Sequence, residues 1–93
     1  MSNDRKHEAT CNEVARLLKA ERERLALTMS EVAEKAGVSQ QMVSYVERGM
    51  RMPTLIMLLR ISSVMNLPLW VVLRQASEPA TPQKTKFRKD KTK

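Results

Sequence analysis

With 93 residues the chain has room for one domain, and a formal net charge of +7 makes an acidic partner the natural expectation. Cys11 is the only cysteine, which excludes an internal disulfide and a cysteine-cluster zinc site and suits a reducing cytoplasm. No secretory apolar segment is present, and the longest unbroken apolar run, Leu67 to Leu73 with Pro68 inside it, is far too short to cross a bilayer. A soluble cytoplasmic chain with no membrane partner is expected.

Residues 1–9, MSNDRKHEA, are polar and show no apolar periodicity, so they read as a flexible N-terminus, part of which can extend the next helix backwards. His7, alone of its kind, reads as solvated surface, and no metal site is expected. Thr10 and Glu13 have the spacing of a capping box, and Val14, Leu17, Leu18 and Leu25 then lie along one stripe of a helix reaching about Ala26. Its charged residues form a solvated face with pairs worth about a few tenths of a kcal/mol each. Arg22 flanks the apolar stripe.

A second capping box, Thr28 with Glu31, opens a short helix with Val32, Ala33 and Ala36 on one face. That helix should stop at Gly37, which accepts positive φ without steric conflict. Val38 follows as a buried plug, and Ser39 caps a third helix with Met42, Val43 and Val46 at helical spacing, ended by Gly49. Both helices are too short to be stable alone. After a loop, Thr54 caps a fourth helix to about Met65, with Leu55, Leu58, Leu59 and Ile61 on its buried side and Asn66 to end it. Pro68 starts a fifth, Leu69 to about Gln75.

Residues 77–93 carry six Lys/Arg against Glu78 and Asp90, with two prolines and little apolar content, and are expected to be a disordered basic tail. Such a tail can contact an acidic partner or serve solubility. The domain is therefore placed at residues 10–76. No Ser/His/Asp or Cys/His grouping and no phosphate-binding glycine loop is present, so neither an enzyme nor a cofactor nor a small-molecule ligand is expected.

In this order and spacing, A-x-x-A-G-V-S at Ala33 to Ser39, V-S-x-V-E-R-G at Val43 to Gly49 and R-x-P-T-L at Arg51 to Leu55 resemble the Cro/repressor or XRE helix-turn-helix family, over roughly residues 12–75. The resemblance implies an all-α, five-helix, lambda-repressor-like fold that binds double-stranded DNA and regulates transcription. It also implies that the helix from Gln40 to Arg48 lies in the major groove, its leading residues against base edges. Gln40 and Gln41 hold the leading positions; a glutamine amide offers a donor beside an acceptor, as an adenine edge requires. Without the motif, both would pass as exposed polar residues at a helix start. Ser44 and Tyr45 come next on the same helix, with Tyr45 also consistent with a surface or domain-edge position.

Family members commonly brace the first reading residue and a phosphate with a glutamine at the start of the preceding helix, where this chain has Met29. Phosphate contact at that end is left to backbone amides and Thr28, with Arg48 and Arg51 at the other end. Arg22 and Glu47 hold positions that pair across similar repressors, which would neutralise an acid at the end of a DNA-facing helix. Ile56, Met57, Trp70 and Val71 stand where family members often have polar residues, and point to a homodimer through helix 5 and the loop before it, although Trp70 is equally readable as core. The rival reading is a protein-binding adaptor or antitoxin subunit that docks a partner through helix 5 or the tail.

Overall fold

The computed structural model describes residues 2–50 and 53–78, and these form five helices: α1 Ser2–Arg24, α2 Met29–Ala36, α3 Gln40–Glu47, α4 Leu55–Val64 and α5 Leu69–Ser77. Arg51 and the tail from residue 79 onward lie outside the described residues. α1 packs on α5 and α3, α2 on α3 and α4, and α4 on α5. One core joins them all, with Leu18, Val32, Val43 and Val72 almost wholly removed from water.

The first helix begins at Ser2, which corrects the expected start at Thr10. Residues 5–9 contain strong helix formers and neither glycine nor proline, so nothing interrupts the helix upstream of Thr10. Thr10 consequently lies inside the helix, its hydroxyl donating back to the Lys6 carbonyl at 3.2 Å. Glu13, its expected capping partner, pairs with Arg16.

α1 closes on a Schellman-type turn, with the Leu27 amide donating to the Arg22 carbonyl and the Ala26 amide to the Glu23 carbonyl, each at 3.0 Å. Ala26 takes the left-handed conformation (φ +59°) that this motif requires. Leu25, assigned to the apolar stripe from sequence, is instead exposed where the helix ends.

The fourth helix also departs from expectation. Its inward side is Leu58, Ile61, Ser62 and Met65, a run at helical spacing, whereas Leu55 (64% exposed) and Leu59 (45%) face outward. The helix is apolar on nearly every side, so periodicity could not choose between faces. Ser62 occupies the inward position because it is small and its hydroxyl is satisfied by the Leu59 carbonyl at 3.2 Å. Asn66 ends the segment in the left-handed region (φ +54°), and α5 buries Leu69, Val72 and Ala76. No single described helix is long and apolar enough to cross a membrane; α4 and α5 reach that length and composition only as a pair bent by 110°.

The Thr28 capping box is fully formed: the Glu31 amide donates to the Thr28 hydroxyl oxygen at 3.0 Å and the Thr28 amide to the Glu31 carboxylate at 2.8 Å. That backbone bond holds the Glu31 carboxyl below the usual carboxylate range. Because the folded pKa is depressed, the stabilisation is complete above the ordinary carboxylate value and is lost as the pH falls through the folded one. Glu31→Gln keeps a capping group that does not titrate. Its thermal midpoint should fall less steeply than that of the unmodified protein as the pH is lowered below about 4.5, and parallel curves would refute the assignment.

Candidate nucleic-acid interface

The turn between α2 and α3 fixes how the third helix is presented. Gly37 caps α2 at φ +73°, and the Val38 amide returns to the Ala33 carbonyl at 3.0 Å. Ser39 then restarts the chain, its hydroxyl accepting from the Met42 amide at 3.0 Å. Val43 and Val46 anchor α3 in the core, with Met42 and Val38 packed against it. Rigid seating on this side leaves Gln40 and Gln41 exposed on the other, with Ser44 and Tyr45 half-buried.

The outward side carries a connected set of groups. The Gln41 side-chain amide donates to the Tyr45 hydroxyl at 2.6 Å, and the Arg48 guanidinium carbon lies 5.9 Å from the centre of the Tyr45 ring, within cation–π range. Positions 41, 45 and 48 succeed one another by four and three residues and so share one helical stripe. Sequence reasoning placed these residues singly and missed their connection, although the Gln-x-x-x-Tyr spacing within a helix carries the signal.

At the far end of α3, Arg22 and Glu47 form a two-point pair, Nε to Oε2 at 2.6 Å and Nη2 to Oε1 at 3.0 Å. Their side chains are only 11% and 7% exposed. The remaining guanidinium nitrogen donates to the Leu27 carbonyl at 2.8 Å, so a single side chain ties α1, the turn into α2 and the end of α3 together. The hydrogen bonds that Arg22 donates to the Glu47 carboxylate, with the charge of that group, raise the Arg22 pKa above its ordinary value. Glu47 therefore presents no uncompensated charge beside the outward face.

Thr28 is exposed at the start of α2, but its amide and hydroxyl oxygen are both engaged with Glu31, which leaves the hydroxyl proton as its donor to a phosphate. Met29 is half-buried against the core and reaches no such position. Arg48 is exposed beside Tyr45; Arg51 lies outside the described residues.

Of the four residues read as a pairing surface, Trp70 (65% exposed) and Ile56 (59%) face water. Val71 is half-buried, and Met57 packs against the core, so the four do not make a uniform exposed face. Leu55 and Leu59, assigned to the buried side of α4 from sequence, and Leu73 add to the outward apolar surface of α4 and α5.

Among the described residues no three His, Cys, Asp or Glu side chains converge as metal ligands. A cavity of about 80 Å³ lies behind α3, lined by Cys11, Val14, Ala15, Val46, Gly49 and Met50 among others. Residues 18–69, more than half of the chain, match the family model described as Helix-turn-helix. No curated protein matches the chain.

Proposed function

The chain belongs to the helix-turn-helix family of Cro/repressor, XRE type, whose members are DNA-binding regulators of transcription, and from that premise we propose that it is a non-enzymatic repressor that reads its operator as a homodimer. The observation that carries the reading is the seating of α3: Val43 and Val46 are locked into the core while Gln40 and Gln41 are exposed on an adjoining surface. A rigid helix presenting amide side chains at its N-terminal end suits base-edge recognition in the major groove.

In this reading Gln40, Gln41, Ser44 and Tyr45 supply sequence preference. Thr28, Arg48, Arg51 and the basic tail supply salt-dependent affinity for phosphate. The outward apolar residues of α4 and α5, Ile56 and Trp70 foremost, support pairing of two copies, with Met57 and Val71 behind them. Two reading heads would then stand about one DNA turn apart, roughly 34 Å.

Selection of bound sequences from a random DNA pool tests the reading. The expected product is an inverted repeat, and Gln41→Ala should lose about 1 to 3 kcal/mol on it with little change on random DNA. Equal loss on both would refute the base-reading role, and a lone half-site would refute the homodimer. Absence of any enrichment would favour the rival adaptor reading, for which the same exposed apolar surface would be the docking site.

A further inference from the structure

The geometry points to Tyr45 as the residue that positions Gln41, holding its amide so that a donor and an acceptor are presented together to the DNA. This rests on the base-reading role proposed for Gln41. A free glutamine side chain has three rotatable torsions and must lose that freedom when it binds a base. Here the amide is already engaged: one N–H donates to the Tyr45 hydroxyl at 2.6 Å. An amide has two N–H donors and one carbonyl, so the second N–H and the oxygen remain as the side-by-side pair that an adenine edge requires.

Tyr45 is itself held. It is half-buried on a helix whose neighbouring residues Val43 and Val46 are fixed in the core, and the Arg48 guanidinium lies over its ring at 5.9 Å. The hydroxyl is thus a fixed point against which the more exposed glutamine is oriented. Met29 stands at the start of α2 with its side chain against the core, so bracing of the reading residues from that helix is not available to this chain through that side chain. The brace comes from within α3.

Tyr45→Phe removes the hydroxyl and keeps the ring. The base pair read by Gln41 is identified as the position whose preference Gln41→Ala abolishes. At that position Tyr45→Phe should lower discrimination about 3- to 10-fold, the range for one hydrogen bond, while preferences at other positions persist. In the Gln41→Ala background the same substitution should have no further effect on discrimination. Additional loss in that background would mean that the hydroxyl acts other than through Gln41, and would overturn the positioning role. So would discrimination equal to that of the unmodified protein.

A second measurement needs no DNA and separates this inference from the base-reading proposal. In the free protein, the side-chain amide of Gln41 should be more ordered by NMR relaxation than that of Gln40, and Tyr45→Phe should remove the difference. Equal mobility of the two amides before substitution would overturn the inference even if Gln41 proves to read a base. A rigid Gln41 amide in a chain that selects no sequence would instead uphold the brace and refute the reading role.

Discussion

Glu47→Ala is expected to lose about 3 kcal/mol of stability, measured as the shift in a urea unfolding curve. Removal of one partner of a buried ion pair leaves the other charge poorly compensated, and Arg22, 11% exposed, would keep the Leu27 carbonyl as a hydrogen-bond partner and the weaker attraction of Glu23. The lower end of the usual range is expected because both side chains keep some contact with water, at 11% and 7% exposure. The change is still severe, since a small domain has only about 5–15 kcal/mol in total. Replacing both partners, Arg22→Met with Glu47→Leu, should recover most of the loss, because two apolar groups need no charge compensation. A loss below about 1 kcal/mol for Glu47→Ala would place the pair among solvent-screened surface bridges.

Leu18→Ala should destabilise the domain by about 2–5 kcal/mol, comparable to or larger than the loss of the ion pair. Leu18 is 1% exposed within the core on α1, the helix that packs on α3 and α5. Truncation removes the transfer free energy of the buried methyl groups and leaves a cavity that rigid neighbours fill only partly. In a domain of this size the thermal midpoint should fall by about 10 °C or more. Leu55→Ala provides the control, since that side chain is 64% exposed and has little burial to lose. Equal shifts for the two substitutions would contradict the packing described above.

The parts of this molecule legible in sequence are those governed by local chemistry. Thr28 with Glu31, Gly37, Ser39, Thr54 and Asn66 each specify a chain direction through their own side chain or its absence, and the helices begin or end beside them. The narrow faces of α2 and α3 were equally legible because their few apolar residues leave no choice about which side is buried.

What escaped sequence reading depends on more distant partners. α4 is apolar nearly all round, and only the positions of α2 and α5 decide that Ile61 and Ser62 turn inward while Leu55 and Leu59 do not. Thr10 carries a capping signature that the upstream helix overrides, since a hydroxyl inside a helix finds the carbonyl four residues back. Ala26 gives no composition signal for its left-handed φ; the Schellman hydrogen bonds impose it. The Gln41–Tyr45 contact was readable in spacing but not in residue type, because neither residue alone announces the other.

The division of α3 into a seated side and an outward side has a consequence for how such a protein diversifies. Val43 and Val46 hold the domain together, whereas Gln40 and Gln41 are exposed and take no part in the core. Substitutions at the two glutamines are therefore nearly invisible to folding, and under the base-reading role proposed for them a duplicated copy of the chain can drift toward a new target sequence without first acquiring a compensating stabiliser. Tyr45 is the exception. Half-buried and bonded to Gln41, it would have to change in step with its neighbour, which makes position 41 the slower of the two to be rewritten.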